Sequence, residues 1–511
     1  MLAHAFCATT FGVDAHLIDV ETNSVNGLPQ YFLVGLPDRA ISESRDRIEA
    51  ALRNSGFEMP RGRITVNLAP ANLPKEGSSF DLPIAVGLLG MSSQVKKDKL
   101  KDTLILGELA LDGSLRPVKG VLPVTVEANK RGFKRVVVPQ VNAREAAVVK
   151  GIEVFGFVNL GEVTGWLNGS FEKEPFHVDL DALFNHHAED STLDYCDVRG
   201  QENVKRSVEV AAAGGHNVLM IGPPGSGKTM IARRISTILP PLTLEESLET
   251  TRINSVAGML TNGASLVVRR PFRAPHHTIS DAALVGGGSV PKPGEISLAH
   301  NGVLFLDELP EFRRTALEVL RQPLEDGVVT LSRSRFTVSY PSRFMLVASM
   351  NPSPDGDWYD PDEPGSTRPE VVQQYMSRIS GPLMDRIDIH VEVRKVNYED
   401  LTGTAPAERS ESIRERVTEA RERQKRRFKK ATNVFCNAQM NTRMVRVVCK
   451  IDEAGANLLK KAIYHLKLSA RAYDRILKVS RTIADLERSE SIKAHHIAEA
   501  VQYRSLDRNL I

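Results

Sequence analysis

Four apolar residues, Val218-Leu219-Met220-Ile221, run directly into Gly222-Pro223-Pro224-Gly225-Ser226-Gly227-Lys228-Thr229, and then into the helix-forming run Ile231-Ala232-Arg233-Arg234-Ile235. No other stretch limits the fold so sharply. The octapeptide matches G-x-x-x-x-G-K-[ST], and a strand before it and a helix after it give the match its meaning. Glycines let backbone N–H groups converge on phosphate oxygens, and the helix N-terminus adds the positive end of its dipole. Lys228 is placed to reach the β- and γ-phosphates, and Thr229 to ligate Mg²⁺. The pattern implies an α/β core that binds a nucleoside triphosphate.

The chain has 511 residues, more than one hydrophobic core holds, so roughly two to four domains are expected. Hydrophobic residues make up 41% and charged residues 25%, ordinary for a soluble globular protein. A net charge of +3 does not by itself point to nucleic acid. The apolar stretch Leu82–Met91 is too short to span a bilayer, and the N-terminus has no basic region typical of a secretory signal. Cys7, Cys196, Cys436 and Cys449 lie far apart without a C-x-x-C pair, which suits free thiols in a reducing compartment. A cytoplasmic protein without a membrane partner is the expectation.

Residues 1–170 alternate short apolar runs with helical patterns. Thr65–Leu68, Leu104–Leu106 and Arg135–Pro139 read as strands, and 40–54 and 121–131 as helices. Residues 171–192 are polar, include His186-His187, and read as a linker. Residues 193–395 carry three buried-strand patterns, Val218–Ile221, Val303–Leu306 and Phe344–Met350, which indicate a parallel sheet covered on both faces. Residues 396–511 turn helical and charged, with Ile476, Val479, Ile483 and Leu486 at helical spacing.

Asp307 and Glu308 end the run Val303–Leu306. Asp307 is placed to hold the Mg²⁺ shell, and Glu308 to polarise an attacking water. Asn351, at the end of Phe344–Met350, is a polar amide placed to orient water or sense hydrolysis. This order resembles the AAA+ ATPases, which implies ATP and Mg²⁺ as cofactors and Asn351 as the first sensor. Asp197–Glu202 resembles the segment lying against adenine. Gly381–Asp388 resembles the stretch with the arginine finger, which puts Arg386 first and Arg378 second for that role. Ser469–Ala472 resembles the second sensor, with Arg471 contacting the γ-phosphate.

Arg270-Pro271-Phe272-Arg273-Ala274-Pro275-His276-His277-Thr278-Ile279-Ser280, then Gly286-Gly287-Gly288 and Pro293–Gly302, resemble the magnesium-chelatase subset of AAA+ proteins. With the N-terminal region and the ending Tyr503–Arg508, the chain is similar over its whole length to the ComM/YifB family. That family implies a homo-oligomeric, hexameric ATPase and a DNA helicase promoting branch migration during natural transformation. Single-stranded or branched DNA is the partner implied. The resemblance also implies an insert over 253–300 and an all-α C-terminal lid.

Val328–Leu331 and Phe336–Ser339 read as a β-hairpin whose tip carries Arg333 and Arg335. These contact phosphates in a pore or simply face solvent. Residues 409–430 hold ten Lys/Arg against four Glu. Lys425, Arg426 and Arg427 in that run bind DNA phosphates or form a charged helix face. His276 and His277 lack an obvious third metal ligand.

The N-terminal region resembles the Lon-protease fold, with Ser79 at the nucleophile position. Where Lon carries the lysine of its dyad, this chain has Leu122. Lys119, three residues earlier, is expected to point elsewhere, and Asp81 replaces a small residue. No peptidase activity is expected. Many family members carry a cysteine cluster after the first sensor. Here Asn351 to Arg368 contains no cysteine, and the loop with Asp355, Asp357, Asp360, Asp362 and Glu363 reads as solvated. A DNA motor is the first reading of the function. A remodelling ATPase acting on a protein partner is the alternative, against which the N-terminal 170 residues weigh for a chelatase.

Overall fold

The computed structural model describes residues 2–186, 193–260, 265–288, 291–332, 337–356, 368–397, 407–431, 434–466 and 468–504. Arg333, Arg335, His187, the acidic loop residues 357–363 and the ending 505–508 therefore lie outside the described residues.

The N-terminal region is built on a seven-stranded mixed sheet. Its strands are β1 (Leu2–Phe11), β2 (Asp14–Val25), β3 (Gln30–Val34), β4 (Arg63–Ala69), β5 (Thr103–Ile105), β6 (Arg135–Pro139) and β7 (Glu153–Phe157), in the order β3-β4-β2-β1-β5-β6-β7. β1, β2 and β4 pair antiparallel; β5, β6 and β7 continue from β1 in parallel. Helices α1 (Ser44–Asn54), α2 (Asp81–Met91) and α3 (Val121–Lys130) belong to this region. Every residue of α2 is buried, which explains why its sequence is apolar all round rather than on one stripe. The exception is Asp81, whose carboxylate accepts two bonds from Arg47 at 3.0 Å each. Asp81 thus ties the start of α2 to α1.

The second region is organised around five strands, all parallel: β8 (Val218–Ile221), β9 (Phe272–Arg273), β10 (Val303–Leu306), β11 (Met345–Met350) and β12 (Ile389–Glu392). Their order is β9-β10-β11-β8-β12. Each apolar run divides by alternation between two cores. Val218, Met220, Val303, Phe305, Met345 and Val347 face one cluster; Leu219, Ile221, Leu304, Leu306, Leu346 and Ala348 face the other. A strand covered on both faces needs apolar residues at every position, and that is what the sequence supplies.

Helix α4 (Glu202–Gly214) precedes β8 and α5 (Lys228–Ile238) follows it. Next come α6 (Leu244–Ala257), started by a capping box between Thr243 and Glu246, and α7 (Asp281–Val285). The hairpin pairs Val328–Ser332 with Thr337–Pro341. The C-terminal part is helical, its longest members being α8 (Ser410–Arg427) and α9 (Ala470–Leu486). Among the described residues no helix is long and apolar enough to cross a membrane.

The two sheets are joined through α6. Ser255 donates from Oγ to Oε1 of Glu145 at 2.5 Å, and Gly120 N–H donates to the Ser255 carbonyl at 3.2 Å. Glu145 is 5% exposed and also accepts from Leu122 N–H at 2.9 Å. Burial dominates its titration and pushes the carboxyl above its ordinary value, against the pull of those donors. Gly12 lies close to the hairpin: a Cβ there would sit 2.7 Å from Cγ1 of Val338.

Candidate nucleotide site

β8 delivers the chain to a loop that only glycine can shape at several points. A Cβ on Gly222 would lie 2.0 Å from the Val393 carbonyl oxygen, and Gly225 and Gly227 have φ of 74° and 92°. Pro223 and Pro224 stiffen the approach. Ser226 Oγ is buried without a hydrogen-bond partner inside the loop. The first turn of α5 then presents Lys228 and Thr229.

The Lys228 ammonium donates to the carbonyls of Gly222 at 2.6 Å and Pro223 at 2.9 Å, and to Oδ1 of Asn351 at 3.2 Å. Burial lowers its pKa, opposed by the charges of Asp307 and Glu308. Thr229 Oγ1 donates to Oδ2 of Asp307 at 2.8 Å. The other Asp307 oxygen takes the Ser349 hydroxyl and the Glu308 N–H. So Lys228, Thr229, Asp307, Glu308 and Asn351 meet at the C-terminal ends of β8, β10 and β11, where ligands bind in open parallel sheets. The hydroxyl of Thr229 and the carboxylate of Asp307 are hard oxygen donors, which fit Mg²⁺.

Ser349 was not singled out from sequence. Its role follows from register: Leu306 lies opposite Ala348, so the next residues along, Asp307 and Ser349, are neighbours. His277 was considered from sequence only as a metal ligand. Its Nδ1 lies 3.4 Å from Oε2 of Glu308.

The arginines expected as arginine finger and second sensor are each paired with residues outside the loop. Arg386 is 7% exposed and bonded to Glu325 and the Pro382 carbonyl. Arg378 pairs with Glu311 at 2.9 Å. Arg471 is exposed and pairs at 3.6 Å with Asp385, the neighbour of Arg386.

Of the C-terminal basic run, Lys425 and Arg426 are exposed. Arg427 departs from the expectation of a DNA contact. Its guanidinium turns inward to Asp485, at 2.5 and 2.8 Å, and to Asn437. Ile413, Val417, Ala420 and Gln424 form the buried stripe of α8, and the next position on that stripe is 427.

Lys119 lines a cavity of about 380 Å³ together with Ser78, Ser79, Asp38, Glu76 and Lys292. Its side chain packs over Gly258, just past the C-terminal end of α6. Among the described residues no hydrogen bond joins it to Ser79, while Ser78 is bonded to Glu108.

A five-stranded parallel sheet, a phosphate-binding loop after β8 and an acidic pair after β10 define a P-loop protein of the AAA+ type. Comparison with known proteins places it further. A family model described as "Magnesium chelatase, subunit ChlI" matches residues 194–401. Models for subunit ChlI of Mg-chelatase and for the ChlI C-terminal part match 20–142 and 407–504. Competence protein ComM of Haemophilus influenzae is 45% identical over 100% of this chain and 98% of its own length. YifB of Escherichia coli is 46% identical over 98% of this chain and 96% of its own. The magnesium-chelatase 38 kDa subunit of Rhodobacter capsulatus is 24% identical over 44% of this chain and 67% of its own. The chain belongs to the ComM/YifB family. Because a chelatase-subunit model matches residues 20–142, the N-terminal region by itself does not separate this chain from the chelatases.

Proposed function

We propose that the protein is an ATP-driven motor on DNA, assembled as a hexameric ring and promoting branch migration of incoming DNA in natural transformation. The observation that carries this is the bonded set Lys228–Asn351 and Thr229–Asp307 in a chain similar end to end to a protein named for competence. In this reading residues 1–170 are a Lon-like domain without a working dyad, 193–395 the ATPase core with its insert, and 396–511 the lid.

Lys228 and the loop N–H groups bind and orient the β- and γ-phosphates of ATP. Thr229 and Asp307 would hold Mg²⁺, which when bound would supply charge neutralisation. Glu308 takes the proton of the attacking water, and Asn351 keeps Lys228 and that water in line. Arg386 of a neighbouring subunit completes the transition-state charge, and Arg471 senses the γ-phosphate. Arg333 and Arg335, with Lys425 and Arg426, contact DNA phosphates.

The test is ATP turnover with and without forked DNA at several salt concentrations, together with displacement of a labelled strand. Both activities should vanish in Lys228→Ala and Glu308→Gln. A protein that neither binds DNA nor responds to it would refute the motor. A second reading, remodelling of a protein partner, draws on the chelatase-subunit models that match three parts of the chain. It gains if one stoichiometric protein partner stimulates turnover and DNA does not.

A further inference from the structure

The end of the N-terminal sheet that points away from the ATPase region carries a concentration of positive charge that no motif assigns. β1 runs from Leu2 to Phe11, and Gly12, just past it, meets the hairpin at Val338. Glu145, which follows β6, meets α6 through Ser255. The carboxyl ends of these strands therefore form the joint. Their amino ends lie about 30 Å away, the length of the ten-residue β1. Three chain segments arrive at that far rim: 96–102 before β5, 127–135 before β6 and 150–153 before β7. Register puts Thr103 beside Arg135 and Arg135 beside Glu153. Lys134 N–H donates to the Asp102 carbonyl at 3.1 Å, and Asn129 Nδ2 to the Lys150 carbonyl at 3.0 Å. Lys97 Nζ donates to the Leu2 carbonyl at 2.8 Å, which ties the first segment to the start of β1.

These segments hold nine Lys/Arg against four Asp/Glu. The excess is larger than the net charge of the whole chain, +3, so the remainder is slightly acidic and the positive field is concentrated here. Asp102 already serves Lys134 and Arg135, at 3.1 and 3.2 Å, and Glu127 serves Arg131 at 2.8 Å. Lys96, Lys101, Lys130 and Lys150 are exposed and have no carboxylate partner among the described residues. Each lysine is a point charge on a flexible stem, suited to phosphate and able to bind it without reading bases. Phe133, the one aromatic residue in the three segments, packs edge-on against Phe6 with ring centroids 5.3 Å apart. These segments therefore offer no ring for stacking on unpaired bases.

We propose that this rim binds the phosphate backbone of duplex DNA, and so anchors one arm of the DNA at the end of the N-terminal region remote from the ATPase sheet. The identity of the polyanion rests on the motor reading above. The charge, the register that gathers it and the lack of a stacking ring are independent of that reading.

The experiment measures binding of the full-length chain to a labelled duplex and to a single strand of equal length, over a salt series. The variant Lys101→Gln/Lys130→Gln/Lys150→Gln takes one lysine from each segment, and Lys101→Arg/Lys130→Arg/Lys150→Arg keeps the charge. The glutamine variant should bind duplex about tenfold to a hundredfold more weakly at moderate salt, with a salt slope lower by about three. The arginine variant should bind as wild type does. Melting temperature and DNA-independent ATP turnover should match wild type in both, because the three side chains are exposed and far from the nucleotide loop. Unchanged duplex affinity and salt slope in the glutamine variant overturns the proposal, as does a loss confined to the single strand. Polyglutamate held more tightly than duplex, and released by the glutamine variant, assigns the rim to an acidic protein and overturns it too. Duplex binding that depends on the rim, without any effect of DNA on ATP turnover, removes the motor reading and leaves the rim standing. DNA-stimulated turnover with unchanged affinity in the glutamine variant does the reverse.

Discussion

Thr229 Oγ1 and Asp307 Oδ2 lie 2.8 Å apart, so the residue that closes the phosphate loop is joined directly to the one that follows β10. Asp307 is held in turn by Ser349, which fixes its orientation from β11. Two oxygens delivered by different elements make a pre-set position for a hard cation. Removing one should cost metal affinity before it costs fold. Thr229→Ala is expected to raise the Mg²⁺ needed for half-maximal turnover by roughly tenfold to a hundredfold. A Mg²⁺ titration of turnover decides it, and an unchanged requirement speaks against this pair as the metal position.

Arg386 is buried against Glu325 within its own chain. If it serves a neighbour's phosphate, the two halves of one site reside on different chains. Mixing Lys228→Ala with Arg386→Ala should then restore turnover that neither variant has alone, since some interfaces unite two intact halves. Glu325→Gln should keep activity because it frees the arginine rather than removing it. Failure of the mixture to recover activity, with both variants assembled, would place Arg386 in a structural role.

Glu145 links pH to the joint between the two sheets. Its carboxyl is raised by burial, so the folded protein holds the proton more tightly than the unfolded chain does. Between the ordinary carboxyl value and the raised one, stability therefore increases as pH falls. Glu145→Gln, which mimics the protonated form, should be as stable as wild type or more so at neutral pH. That difference should shrink on acidification toward the ordinary carboxyl range. Ser255→Ala removes a donor from a buried group and should cost about 1–3 kcal/mol at neutral pH. Thermal unfolding across a pH series reads both; a Glu145→Gln advantage that grows on acidification contradicts the sign.

The basic run at the end of α8 divides into two kinds of residue. Lys425→Glu and Arg426→Glu should weaken DNA binding and reduce the salt slope by about one each. Arg427→Gln should instead lower the melting temperature, because it leaves Asp485, only 2% exposed, short of its closest cationic partner. Equal effects of all three on DNA affinity, with no change in stability, would return Arg427 to the surface.

Much of the core was legible because parallel strands buried on both faces are written as continuous apolar runs. Val218–Ile221 and Val303–Leu306 coincide with β8 and β10. The loop between them was legible because its chemistry is local. The approach of His277 to Glu308 was not, since it depends on β9, two residues long, finding its place beside β10. Arg427 was misjudged because adjacent cations were read as one cluster. A helix turns about 100° per residue, and the stripe through Ile413, Val417, Ala420 and Gln424 already pointed inward at 427.

The contacts of Glu145, Gly120 and Gly12 with α6 and the hairpin make the connection at 171–192 a tether rather than the bond that keeps the two regions together. A protease cutting there should leave a nicked molecule that elutes as one particle. The front region is then fixed against α6 and the hairpin, so a displacement of the hairpin is passed to the sheet packed on it.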